Sequence, residues 1–132
     1  MKTKPWLALE DAQRIAAAAE NEARNHQSNV VIAICDDGGH LILLHRLDGV
    51  APISSTIAPA KARAASLGKR DTKLYEDMIN QGRTAFLSAP LDGMLEGGLP
   101  IIVDGYVVGA IGVSGVKSSE DAQIAKAGIA AL

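Results

Sequence analysis

Two histidines, His40 and His45, follow a short acidic run that contains Asp36 and Asp37 and is preceded by Cys35. These residue types can bind metals or transfer protons. Their spacing limits what they can do together. On a regular strand, residues five apart point to opposite faces, so His40 and His45 do not chelate one ion. A single-histidine site stays open for His40, beside the plainer reading of a histidine at the start of a strand next to a solvated turn. The Asp36-Asp37-Gly38-Gly39 loop lacks the alternating oxygen ligands of a calcium-binding loop and reads as a turn. Arg46 falls on the same face of the strand as His40 in strict alternation. Lys61 and Arg63 follow on a helix. Arg46 and Lys61 together suit a carboxylate; the plainer alternative is solvated helix charge and a local Arg46–Asp48 pair.

The glycine-rich segments match no nucleotide motif. Gly109 and Gly112 lie within a strand rather than between a strand and a helix. Ser114, between Val113 and Gly115, is not a nucleophile elbow. Glycine inside a strand weakens it and marks a place where another group approaches the backbone. Gly97, Gly98 and Pro100 form a corner that opens a hairpin, whose Asp104-Gly105 step supplies the positive φ angles of a two-residue turn.

The elements that must carry these residues follow from periodicity. Leu9, Ala12, Ala16, Ala19 and Ala23 fall at helical spacing over residues 9–25, and their small side chains permit close packing. Val30 to Cys35 is an apolar run typical of a buried strand, and His40 to Leu47 returns as a second. Pro59 belongs in a first helical turn, which predicts a helix from a Thr56 cap to about Leu67, with Gly68 as its stop. A short helix follows Asp71 or Thr72 and ends near Gly82. Residues 83–99 read as a loop with one short strand. The hairpin precedes a last helix over 119–131, opened by Ser118 with Asp121 in the manner of a capping box. In strict alternation Tyr106, Val108, Ala110, Gly112 and Ser114 share one face. Val107, Gly109, Ile111 and Val113 share the other. Each face then has a glycine gap, one for an alanine-striped helix such as 9–25, the other for a partner subunit or a flat ligand. The expected class is α+β, with helices packed on an antiparallel sheet of about five strands.

At 132 residues the expected organisation is one domain over 1–132. The net charge is −2 with scattered basic residues, and one Trp, two Tyr and one Phe leave little for base stacking. Nucleic acid is therefore not an expected partner. Neither a signal segment nor a run long enough for a membrane span is visible, which makes a cytoplasmic location the expectation and excludes the membrane as a partner. Cys35 is the lone cysteine, so no internal disulfide forms.

Several segments, taken in order, resemble one family. They are Val30 to Leu41, Arg46-Leu47-Asp48-Gly49, Ile57-Ala58-Pro59-Ala60-Lys61-Ala62, Gly97-Gly98-Leu99-Pro100 and Gly109 to Gly115. The chain resembles the GlcG/HbpS family, which includes the C-terminal domain of PduO-type proteins. The resemblance implies a profilin-like α+β fold and self-association, from dimers up to octamers. It also implies a small-molecule ligand, which in several members is haem or a related tetrapyrrole. The family's patterns map onto Asp36, Gly39, His40, Arg46 and Asp48, then onto Ala58, Lys61 and Ala62, then onto Gly97, Gly98 and Pro100. The ligand-binding set so implied is His40, Arg46, Lys61, Gly97, Gly98 and Pro100, and the single-histidine site read from the residues would make His40 an axial ligand to haem iron. Pro59 departs from the family pattern. A first-helix histidine used by some members is replaced here by alanines, Ala16 to Ala19, and the secreted branch is disfavoured. The alternative function is a cofactor-free lyase or isomerase acting on a small aromatic or hydroxy acid in a catabolic pathway. There Arg46 or Lys61 would anchor the carboxylate, and His40 or Asp36 would act as acid or base.

Overall fold

The computed structural model describes residues 1–132. Helix α1 spans Leu9–Asn25, with Glu10 and Asp11 in its first turn and Arg24 in its last, as the helix dipole favours. The Asp11 carboxylate accepts the Ala8 amide at 3.0 Å and so holds the first turn closed. The buried stripe is Ala12, Ile15, Ala16, Ala19 and Ala23, while Leu9 faces solvent. Strands β1 (Val31–Asp36) and β2 (Leu41–Arg46) follow, then helices α2 (Ser54–Gly68) and α3 (Thr72–Asn80). Strands β3 (Gly98–Val103) and β4 (Tyr106–Ser114) precede helix α4 (Ser118–Ile129).

One antiparallel sheet runs in the order β2-β1-β4-β3. It has four strands rather than the five expected. Residues 84–88 form a 3₁₀ turn instead of a strand. Phe86 stacks on Tyr75 of α3, with ring centroids 5.3 Å apart, and this draws the segment onto the helix and away from the sheet.

Helices α1 and α4 cover one face of the sheet. Their alanines and Ile15, Ile124 pack on Val30, Ile32, Ile34, Ile101, Ile111 and Val113. Helix α2 covers the other face through Ala58, Ala62 and Ala65, which meet Val31, Ala33, Cys35 and Ala110. Cys35 is buried between α2 and the sheet, and that burial pushes its thiol up to about 11, so it is held protonated. No helix is long and apolar enough to cross a membrane.

Three local departures from the sequence expectation have physical causes. Helix α2 begins at Ser54, so Pro59 sits in its second turn. Amides of Ser54, Ser55 and Thr56 bond three residues back to Ala51, Pro52 and Ile53, which starts the helical turn early. The residue before α4 is Lys117, and the Asp121 carboxylate accepts the Val116 amide at 3.2 Å instead of completing a box with Ser118. A register shift between Ile101 and Ile102 leaves Val108 as an extra residue in β4. Strict alternation fails there: Val108 joins Ile111 and Val113 in the core beneath α1 and α4.

Neither glycine gap of β4 stays open. A Cβ on Gly112 would collide with the Ala58 carbonyl and stand 2.6 Å from the Ala62 nitrogen, so the first gap is filled by α2 and not by α1. A Cβ on Gly109 would collide with the Cys35 carbonyl and lie 2.9 Å from Leu7. The Asp104-Gly105 turn has φ of 52° and 80°, as the sequence step predicts.

Candidate functional site

Two separate places hold the residues singled out by the sequence. The first is the interior beneath the glycine-proline corner. Lys61 lies on the sheet-facing side of α2 and is 3% exposed. Its ammonium donates to the Val113 carbonyl at 2.8 Å and to Asp121 Oδ2 at 3.2 Å. Asp121 is equally buried. Burial pushes its carboxyl up from the usual value, and the Lys61 charge and the Val116 amide hold it back only in part.

The corner is shaped around this pair. Gly97 has φ 128°, and a Cβ there would stand 2.7 Å from Lys61 Nζ. A Cβ on Gly98 would lie 2.8 Å from Thr72 and 2.9 Å from the Lys61 carbonyl carbon. The Gly98 amide donates to the Thr72 hydroxyl at 2.8 Å. Pro100 pairs with Ala110 on the outermost strand, at a position that faces the edge, where a missing donor costs no ladder bond. Lys61, Gly97, Gly98 and Asp121 thus meet. The adjoining cavity, lined by Asp71, Lys73, Glu96, Gly97, Gly98 and Lys126 among others, measures 60 Å³.

The second place is the turn after β1. The Asp36 carboxylate accepts the Gly38 and His40 amides at 2.9 Å each, and His40 Nδ1 lies 3.2 Å from it. Partial burial raises the Asp36 pKa. The two amides and the imidazole outweigh it, and the net shift is downward. The His40 ring is 82% exposed. Arg46 is exposed at the far end of β2, and no ion pair forms with Asp48. A register shift between Ile34 and Cys35 adds a residue to β2, so the alternation that put His40 and Arg46 on one face does not hold across the strand. Within one protomer, therefore, His40, Arg46 and Lys61 occupy a turn, the opposite strand end and the interior.

The other histidines are differently placed. His45 Nδ1 lies 3.2 Å from Glu20 Oε1 and is shut off from solvent. His26 lines the largest cavity, 330 Å³, with Ser28, Ser119, Glu120, Gln123 and a single apolar neighbour, Ile124. No three His, Cys, Asp or Glu side chains converge as a metal cluster.

Sequence reasoning missed the role of Asp121, taken as a helix cap. The available signal was its spacing from Ile124 and Ala125, which puts the carboxylate on the inward side of α4. It also passed over the N-terminal segment, where Lys4 pairs with Asp37 beside the His40 turn. Leu7 meets Gly109, the residue paired with Asp36.

A family model described as haem degrading protein HbpS-like matches residues 7–130. Protein GlcG of Escherichia coli strain K12 is 54% identical over 114 residues, which is 86% of this chain and 85% of that protein. Among solved structures, a double mutant of HbpS from Streptomyces reticuli superposes with a TM-score of 0.89 at 31% identity, covering 100% of this chain and 90% of the other. A PduOC:haem complex superposes with a TM-score of 0.87 at 28% identity, covering 97% of this chain and 96% of the other.

Proposed function

The chain belongs to the HbpS-like family, and from that premise we propose that it is a small-ligand-binding oligomeric protein whose ligand is haem or a related tetrapyrrole, held on a profilin-like α+β scaffold. The observation that carries this reading is the haem complex of PduOC, a relative that shares the fold over almost the whole chain.

Such a ligand makes three demands. Its iron wants an imidazole, its macrocycle an apolar or aromatic face, and its propionates cations. His26 Nε2 is engaged by Glu22 Oε1 at 2.8 Å, and the groove it lines is small for a tetrapyrrole. His45 is turned to Glu20, and the protonated Cys35 thiol is buried beneath α2. Ala16 and Ala19 of the first helix are fully buried, so that helix presents no ligand there. His40 is the imidazole left accessible, and it fits. His40 would hold the iron there, and the iron would supply redox chemistry.

The size of the ligand argues for a second copy. Pockets that enclose an organic ligand measure roughly 300–1,000 Å³, with haem toward the upper end. The largest cavity of one protomer is 330 Å³, at the bottom of that range. A tetrapyrrole therefore lies on the surface of one protomer and is closed over by another. Arg46, exposed and unpaired at the far end of β2, is available to a propionate of such a ring only from the second copy. Lys61, Gly97, Gly98 and Pro100 act from behind, by fixing the sheet against α2. Titration of the protein with haemin tests this. A saturable, shifted Soret band is expected, weakened in His40→Ala. An unshifted wild-type spectrum overturns the ligand, and an unchanged variant removes His40 from the site.

A further inference from the structure

Trp6 is the only tryptophan of the chain and is 80% exposed. An indole is a large apolar surface to leave in water, and it is usually covered or used for contact. Trp6 is not on a loose end. Lys4 is tied to Asp37, and Leu7 is seated in the core against Gly109. Residues 4–7 are thereby strapped across one end of the sheet. The antiparallel register puts the β1–β2 turn and the β3–β4 turn at that same end.

Beside the indole lies a notch of 160 Å³ lined by Pro5, Leu7, Val103, Val108 and Leu132, with Asp11 at its rim. Ile102 and Tyr106 are exposed at the same end, 57% and 40%. His40 stands on the adjoining turn, three residues from the aspartate that holds Lys4. The family model's match begins at residue 7, just after Trp6.

We infer that Trp6, with Tyr106, forms the stacking face for a planar tetrapyrrole at the turn end of the sheet, on a strap that Lys4 holds to Asp37. This inference rests on the ligand reading above and adds the residues that grip the ring. The chemistry is complementary on each count. Aromatic faces stack on a flat π-system and tolerate its orientation. The notch takes an apolar ring edge. His40, on the adjoining turn, offers an imidazole at this end of the sheet.

Trp6→Ala, Trp6→Phe and Lys4→Ala are compared with the wild type by haemin titration, read at the Soret band, and by sedimentation without ligand. Trp6 is too exposed for its loss to unfold the chain. Trp6→Ala is expected to weaken haemin roughly tenfold, about 1.4 kcal/mol. Trp6→Phe keeps most of the affinity, Lys4→Ala loses a smaller part, and the ligand-free mass does not change. Wild-type affinity in Trp6→Ala, alongside a loss in His40→Ala, overturns the stacking face and leaves the ligand reading standing. A ligand-free assembly that falls apart in Trp6→Ala shows a contact between copies instead and also overturns it. Absence of haemin binding by the wild type overturns both together.

Discussion

Lys61 is buried at 3% exposure, and its surroundings are shaped to its amine. Its partners come from three elements: the Val113 carbonyl on β4, Asp121 on α4, and the side-chain-free corner at Gly97. Removing one member of a buried pair leaves an uncompensated charge, which typically costs about 3–5 kcal/mol. Lys61→Met is therefore expected to lose about that much in urea unfolding. Replacing both members, Lys61→Met with Asp121→Leu, is expected to recover most of it, because no charge is then left in the core. A single variant as stable as the wild type would show that the pair is hydrated. The residue type at position 61 was legible in the sequence, as was its neighbourhood of alanines. Its inward direction was not, because the partner that fixes it stands sixty positions away. A lysine on an amphipathic helix looks the same in sequence whether it points to a ligand or to a buried carboxylate.

At the scale of elements, the helices and strands were readable from period and turn chemistry. The alanine stripe of α1, the apolar run of β1 and the Asp104-Gly105 turn stand where spacing placed them. The two bulges, in β2 and at Val108 of β4, were not readable. An extra residue shifts every side chain beyond it to the other face, and no local signal marks it. That is why His40 and Arg46 were expected on one face. The glycines of β4 show how closely α2 must approach. Gly112→Ala puts a methyl group into the Ala58 carbonyl, and backbone cannot yield as a flexible side chain can. It is expected to cost about 3 kcal/mol, the upper part of the overpacking range. Gly105→Ala meets open space and costs only the strain of its left-handed φ of 80°, about 1 kcal/mol. Thermal unfolding of the two variants checks the contrast. Equal losses would mean that α2 slides to accommodate the methyl.

For the whole molecule, the sheet edges and the exposed apolar side chains divide the surface by task. Pro100 blunts the β3 edge, and the bulge twists the β2 edge, so neither invites strand addition. Apolar side chains are exposed instead at several places, Leu9, Leu41, Ile53 and Leu67 among them, and two of these places hold at least three such residues each. One is the turn end with Trp6, Ile102 and Tyr106. The other is the α3 region, where Leu74, Leu87 and Leu95 stand 53%, 63% and 46% exposed. The α3 region is anchored through Thr72 to Gly98, at the end of β3 opposite the turn. On the proposed reading the first place takes the flat ligand and the copy that closes over it, and the α3 region is the candidate for a further contact between copies, since exposed leucines grouped in this way are seldom left in water. The ligand-free chain, 13.7 kDa as a monomer, is thus expected to sediment as an assembly. Leu74→Lys with Leu87→Lys is expected to shift it toward the monomer, because each copy would bring two charges into an apolar contact. Both positions are exposed, so the fold tolerates the change. The same variant discriminates between the two surfaces. Soret titration that stays close to wild type means that one protomer's turn end holds the ring unaided. A parallel loss of haemin affinity means that the second copy closes over the ring. An unchanged mass would place the contact between copies elsewhere on the molecule.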